Sequence, residues 1–396
     1  MQRGSEAPLK VCVVTGARSE YGLMRWMMEE LRARPGIDLQ LVATGAHYSE
    51  RHGLTYREIE ADGFVIDRAI PIPVERDEPV ELVRSVGVLT SSLGEAFTSL
   101  EPDLVLVMGD RYELLAVAAA CILMTIPLGH LSGGEITEGA IDDQVRHSLT
   151  KSAHLHLVTN RTHAHRVFQM GEEDWRVCIA GEPGLDALHR MELMSREELC
   201  ADLGIAPEGP VGLVSYHPAT LAGDAQAEEL HALDQALRRA AQERSARFVI
   251  SHPNADAGNR TIVEHWTRFV ADHPGSILVE SLGHLRYLSA LKALDFMVGN
   301  SSSGLVEAPS FNLPSVNVGE RQAGRERGAN VIDVPGEAEA ILEGLAVALA
   351  YDRGRTIGNP YGGDGRASIR IVDFVEQALR GRSRSELLRK RFVDLP

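Results

Sequence analysis

No stretch of the chain approaches the about 18 consecutive apolar residues of a membrane-spanning helix, and the opening MQRGSEAPLK lacks the apolar segment of a secretion signal. The expectation is a cytoplasmic protein with no membrane partner. Cysteine is scarce: Cys12, Cys121, Cys178 and Cys200 show no C-x-x-C spacing, so buried reduced thiols are expected in place of a metal or redox site. Positive charge is the minority sign. With 40 Lys and Arg against 56 Asp and Glu, the formal charge is -16. That balance argues against binding nucleic acid through bulk charge and leaves room only for a local basic pocket. G-x-G-x-x-G is absent from the first strand-to-helix turn and no P-loop Lys is present, so neither a nicotinamide cofactor nor ATP chemistry is supported. Internal repeats of solenoid period and low-complexity segments are missing as well.

What is present is a rhythm. At 396 residues the chain exceeds one ordinary core and points to two domains. Apolar runs such as LKVCVVTGA, DLQLVATG, DLVLVMG, IPLGHL and HLHLVT alternate with helical patterns such as YGLMRWMMEELRARPG. Continuous apolar strands separated by helices predict a parallel sheet covered on both faces, an α/β doubly wound fold. The pattern pauses at GEPGLDALHRMELMSREELCADLGIAPEGP and then restarts with VGLVSY, ARFVIS, SILVE, LDFMVGN and PSVNVG. We expect an N-terminal domain over residues 1–183, a second over 184–370, and a C-terminal helix over 371–396 that packs back on the first. The basic RSRSELLRKRF is expected to be a solvated helix end. Two such sheets would create a central cleft, so the turns after strands are where chemistry is expected.

Several of these turns are chemically loaded. In TGARSEYG, Gly16 permits a tight turn and Arg18 sits at a helix N-terminus suited to an anion, although an exposed loop Arg reads equally simply. Asp110 in VMGDRYELL is either a helix N-cap or a carboxylate facing the cleft. The segment LSGGEITEGAIDDQVRHSLTK gathers Glu135, Glu138, Asp142 and Asp143 directly after a buried strand. On a helix beginning near Gly139, Asp142 and Arg146 are an i, i+4 pair, as are Asp143 and His147. A charged first turn is favoured by the helix dipole, but four acids and two glycines exceed what solvation requires. Later, His217 follows a strand in VSYHPAT, and Asn254 and Asp256 lie in SHPNADAGN, where a turn is their simplest role. In VGNSSSGLVEAPSF, Asn300, Ser301, Ser302, Ser303 and Gly304 make a phosphate cradle, Glu307 is placed for ribose hydroxyls, and Arg321 and Arg325 follow.

Taken together, these turns resemble the hydrolysing UDP-N-acetylglucosamine 2-epimerases of the sialic- and legionaminic-acid type. The likeness rests on IDDQVRHSLTKSAHLH and GNSSSGLVE, with TGARSEYG, GDRYE, YHP, PNADAG and RQAGRERGANV in support. The resemblance implies two Rossmann-like domains similar to the glycosyltransferase-B fold, closing over a UDP-linked nucleotide sugar without metal or cofactor. It implies elimination of UDP to a glycal, followed by hydration with inverted configuration at C2. By position, Asp110 and Asp142 are implied to be catalytic, and Asp143 and Arg146 to shape the sugar site. His217, Ser302, Ser303 and Glu307 are implied to bind UDP, with Arg18 near the diphosphate; Asn254, Ser301, Gly304 and Arg321 are candidate contacts. Self-association as a homodimer or homotetramer is also implied.

One position departs from the pattern. Family members commonly read HxEGGE, whose first Glu is a catalytic acid, whereas this chain reads HLSGGE and places Ser132 there. Either Glu135 or Glu138 takes over, or Ser132 makes room for a 4-acetamido group, which keeps UDP-2,4-diacetamido-2,4,6-trideoxyglucose as an alternative substrate. A glycosyltransferase of the same architecture is the rival enzyme class, a sugar-nucleotide binder without turnover is a third reading, and a guanine nucleotide in place of uracil is a further variant.

Overall fold

A strand such as Leu104–Met108, buried at all five positions, has no polar face to offer water and needs cover on both sides. In the computed structural model, which describes residues 7–74, 78–138, 141–218, 225–253 and 258–394, that cover is provided in two units. Unit 1 comprises Met1–Glu135, Asp142–Arg190 and Tyr361–Pro396; unit 2 comprises Ile136–Ile141 and Met191–Pro360.

Unit 1 is built on strands β1 (Leu9–Thr15), β2 (Ile37–Thr44), β3 (Arg68–Ile70), β4 (Leu104–Met108), β5 (Leu128–Leu131), β6 (Leu155–Val158) and β7 (Val177–Ile179). They form one sheet in the order β3-β2-β1-β4-β5-β6-β7, and every pairing is parallel. The connections are helices α1 (Arg18–Ala33), α2 (Tyr56–Ala61), α3 (Pro79–Leu100), α4 (Leu114–Leu123), α5 (Asp142–Ser152), α6 (Arg161–Gln169) and α7 (Ala187–Arg190). Val11, Val13, Met24, Met28 and Leu106 are buried on one face of the sheet, and Cys12, Val14, Leu93, Val105 and Val117 on the other. The order reverses between β1 and β4, so their carboxyl ends mark a switch point, the place where doubly wound sheets bind ligands.

Unit 2 repeats the plan. Its strands are β8 (Val211–Ser215), β9 (Arg247–Ser251), β10 (Ile277–Val279), β11 (Phe296–Gly299), β12 (Ser315–Val318) and β13 (Val331–Val334), ordered β10-β9-β8-β11-β12-β13 and again all parallel. Helices α8 (Arg196–Leu203), α9 (Ala225–Arg244), α10 (Asn259–Asp272), α11 (Gly283–Ala293), α12 (Ser303–Val306) and α13 (Ala338–Leu349) accompany them. The switch point lies between β8 and β11.

The chain then returns to unit 1 with α14 (Ala367–Gly381) and α15 (Arg384–Leu388). The buried carboxylate of Asp186 accepts from the amides of Ala367 and Ser368 at 3.1 and 2.7 Å and so anchors the start of α14. The basic tail is a helix end exposed over most of its length, as expected, but it is pinned to the rest of unit 1 at a few points. α15 carries a capping box from Ser383 and Glu386, Leu387 is buried, and the fully buried Arg176 donates to the carbonyls of Leu387 and Arg389, each at 2.8 Å. The tail is held because its backbone carbonyls are ligands for a buried guanidinium, while Arg384, Arg389 and Arg391 stay exposed. One helix start is corrected: α1 begins at Arg18, earlier than Tyr21; the expected start of α5 at Gly139 lies outside the described residues, and the helix is described from Asp142.

Candidate active site

In unit 1 the loaded turns meet at the carboxyl ends of β1, β4 and β5. Gly109, with φ 84°, turns the chain out of β4 and delivers Asp110. Asp110 is not an N-cap, because α4 starts only at Leu114 with Glu113 as its cap position. It instead forms a short ion pair with Arg146, whose guanidinium is 2% exposed. A buried cation requires such a partner, since desolvation without one costs several kcal/mol. Arg146 reaches it from the second turn of α5, which begins with Asp142 and Asp143; Asp143 stands 3.4 Å from His147 at the expected i, i+4 spacing.

The turn after β5 is tightly built. Ser132 has φ 62°, donates its amide to the Leu157 carbonyl at 3.1 Å and directs its hydroxyl to Glu182 at 3.4 Å. Gly134 has φ 76°, and a Cβ there would meet the His163 carbonyl oxygen at 2.3 Å, which explains the glycine at 134; at Gly133 a Cβ would meet the Thr150 hydroxyl at 2.9 Å. Glu135 is buried and accepts from Thr159 at 3.2 Å. The β5 residue His130 donates to the Gly109 carbonyl at 2.7 Å and lies 3.2 Å from Thr150 of α5. Burial depresses its pKa to about 4, so it is a neutral spacer between β4 and α5.

At the first turn, the Gly16 amide donates to the buried Glu20 at 2.7 Å, and Arg18 opens α1 next to it. Burial raises the Glu20 carboxyl to about 7; Arg111 opposes the rise and Glu113 adds to it. Arg111 in turn pairs with the buried Glu113 at 3.0 Å.

Unit 2 holds the other set. Asn300, fully buried after β11, accepts the His217 amide at 2.7 Å and donates back to the His217 carbonyl at 2.9 Å, locking the ends of β8 and β11 together. Arg321 donates to the carbonyls of Pro218 and Asn300 at 3.1 and 3.2 Å, and Gln322 to that of Asn300 at 2.8 Å. Burial, with Arg321 nearby, lowers His217 to about 3, so the imidazole is neutral and shares a hydrogen bond with Ser215 at 3.2 Å. Ser301 accepts the Ser303 amide at 3.3 Å, and Ser303 and Gly304 open the four-residue α12. Burial raises Glu307, against a hydrogen bond from Ser303. Tyr287 is also raised by burial and bonds to the same serines.

Asp110, Ser132, Glu135, Asp142, Asp143, Arg146 and Arg18 thus belong to unit 1. His217, Ser301, Ser302, Ser303, Gly304, Glu307 and Arg321 belong to unit 2. Glu138 goes with the second set: it is exposed, and its amide bonds to the Ala323 carbonyl at 3.3 Å beside Thr137, which accepts from Arg325. Asn254 and Asp256 lie outside the described residues. Four groups escaped the sequence reading: Glu182, His130, Tyr287 and Gln322. Glu182 in GEPGLD, His130 in HLSGGE and Gln322 in RQAGRERGANV lie in segments already singled out, whereas Tyr287 carried no signal. Among the described residues no three His, Cys, Asp or Glu side chains are grouped to hold a metal ion.

Comparison with known proteins gives the context for these turns. A Legionella pneumophila protein named UDP-N,N'-diacetylbacillosamine 2-epimerase (hydrolyzing) is 37% identical over 367 residues, covering 93% of this chain and 95% of its own. A Campylobacter jejuni protein named GDP/UDP-N,N'-diacetylbacillosamine 2-epimerase (hydrolyzing) is 38% identical over 325 residues, 82% of this chain and 84% of its own. The solved UDP-GlcNAc 2-epimerase of Neisseria meningitidis bound to UDP-GlcNAc has the same fold, with a TM-score of 0.79 at 20% identity over 93% of this chain and 100% of that one. With residues 29–376 matched by the model of the UDP-N-acetylglucosamine 2-epimerase family, the chain belongs to that family.

Proposed function

We propose that the protein is a hydrolysing 2-epimerase that converts UDP-N-acetylglucosamine, or a close analogue, to an N-acetylmannosamine-type sugar and UDP. The observation that carries this reading is the ion pair of the buried Arg146 with Asp110, in the unit that also carries Glu135 after β5 and Asp142 and Asp143 at the start of α5.

The C2 proton of such a sugar is weakly acidic, so its removal needs a carboxylate base, and departure of UDP needs a proton donor at the glycosidic oxygen. A base takes the C2 proton as the C1–O bond breaks and its electron pair leaves with UDP. The glycal that remains takes hydroxide from water at C1 and a proton at C2 on the opposite face. Two proton-handling groups on two faces are therefore required. Asp110 and Asp142 are assigned these roles, with Glu135 as the further acid and Glu182, held against Ser132, as a buried carboxylate beside it. The chemistry requires one of these groups ionised as the base and another protonated as the donor. Asp143 and Arg146 shape the sugar site, Arg18 serves the diphosphate, and in unit 2 His217, Ser301 to Gly304, Glu307 and Arg321 hold UDP. Glu138, exposed and within unit 2, is not assigned the acid role.

A second substrate, the UDP-2,4-diacetamido-2,4,6-trideoxy sugar, is favoured by one observation: Ser132 presents a small hydroxyl where a longer acid would fill the turn. Proton and phosphorus NMR in deuterated water with each sugar nucleotide tests both readings. Free UDP and a manno product deuterated at C2 are the expected result, and the faster tube names the substrate. Intact UDP-sugar in both tubes with no exchange at C2 overturns the proposal and returns attention to a glycosyltransferase.

A further inference from the structure

Helix α5 carries Asp142, Asp143 and Arg146, and its far end is held by a buried charge cluster that no step above uses. Glu172 is 2% exposed. Its Oε1 accepts from Lys151 Nζ and Lys390 Nζ, each at 2.8 Å, and its Oε2 from His156 Nε2 at 2.9 Å. Lys390 also donates to the carbonyls of Lys151 and Ala153 at 2.8 and 2.6 Å. An ammonium has three protons, and these are three acceptors. The two carbonyls lie at the C-terminal end of α5, where a helix cannot satisfy its own acceptors and where its dipole favours a cation. Burial works against ionisation of Glu172, but the bonds from His156, Lys151 and Lys390 outweigh it and hold the carboxyl at about 2.

The segment that brings Lys390 is itself fixed. Arg176 binds its carbonyls at residues 387 and 389, Phe392 lies under the Lys151 ammonium at 4.8 Å, and the Val393 amide donates to the Gly171 carbonyl at 3.0 Å. In the last turn of α5, Thr150 meets His130, which is bonded to the carbonyl of Gly109, the residue before Asp110. The helix is therefore tied to β4 through Thr150 and Arg146 and to the tail through Lys390. Because a helix moves nearly as a rod, a slip at one end displaces Arg146 and the two acids at the other, and displacements of about 1 Å cost catalysis heavily.

We propose that Lys390 and Glu172 are positioning residues for the acids of α5, so that residues 384–394 serve turnover as well as folding. The kinetic part of this inference rests on the epimerase reading; its structural part does not.

The test uses the full chain and the variants Lys390→Met, Lys390→Ala and Glu172→Gln. In Lys390→Met, kcat is expected to fall about tenfold or more while KM for the UDP-sugar stays within about threefold, the pattern of lost positioning. Methylammonium is expected to restore part of kcat in Lys390→Ala. Hydrogen exchange of amides 142–152 is expected to speed up in both Lys390 variants and in Glu172→Gln. A soluble Lys390→Met enzyme with wild-type kcat overturns the proposal, whatever its amide exchange. So does a loss of kcat that is accompanied by loss of UDP binding and is not rescued by amine, because that pattern is general damage. If the wild-type protein does not turn over UDP-sugars, the epimerase reading fails, and the exchange measurement alone then decides whether Lys390 holds α5.

Discussion

At the residue scale, Arg146 decides more than any other side chain described. A guanidinium at 2% exposure cannot be stranded cheaply, so Asp110 has a structural duty in addition to its proposed chemical one. Asp110→Ala is expected to lose about 3 kcal/mol of stability, measured by urea unfolding, together with activity. Adding Arg146→Met should recover much of the stability and none of the turnover. A double variant as active as wild type would remove Asp110 from the mechanism. Glu20 gives a second, pH-dependent test. Its carboxyl titrates near 7 when folded against an ordinary 4.5, so the folded state holds a proton that the unfolded chain sheds as pH rises between those values. Its contribution to stability is full below about 4.5, declines through about 7 and is flat above. Glu20→Gln should abolish that decline and stabilise the protein at pH 8 by up to about 3 kcal/mol. Identical pH–stability curves for the two proteins would contradict the assignment.

At the scale of elements, the turns depend on close backbone approach. Gly299 ends β11 with φ 137°, and a Cβ there would sit 2.1 Å from the Ser215 carbonyl oxygen on β8. Since that neighbour is backbone, Gly299→Ala should cost about 2 kcal/mol or more and weaken UDP binding measured by calorimetry. The elements were legible because apolar continuity and helical period are local: β4, α1 and α14 all lie where DLVLVMG, YGLMRWMMEEL and GRASIRIVDFVEQALR put them, apart from their ends. Partners across the fold were not legible. The i, i+4 spacing speaks only of partners within one helix, whereas the Asp110 partner of Arg146 lies 36 residues away on another turn. Glu182 reaches Ser132 across 50 residues, and neither segment announces that the two meet. The anchoring of the tail was not legible for the same reason, because the acceptors of Lys390 lie more than 200 residues earlier.

At the scale of the molecule, two sheets with separate cores fold in one chain. Scanning calorimetry should resolve two transitions instead of one. If unit 2 is the UDP site, UDP at about a hundred times its Kd should stabilise by about 2.7 kcal/mol the transition that His217→Ala or Ser303→Ala makes insensitive to UDP. A single transition, or equal shifts in both, would count against separate binding in unit 2. Pattern alone pointed to two parallel α/β units, since strand rhythm restarts after the Gly- and Pro-rich pause. The assignment of residues 136–141 to unit 2 had no counterpart in the pattern, because so short a segment carries no periodicity.

That excursion, with the return at Tyr361, means that the chain changes units after Glu135, Ile141, Arg190 and Pro360. A gene split at codon 190 would therefore not yield one unit per polypeptide. The first fragment would carry the Thr137 acceptor that Arg325 in the second needs, and the second would carry the Lys390 that caps α5 in the first. Each half would hold a missing piece of the other, so co-expression would act as a complementation assay in which neither fragment is complete until both are present.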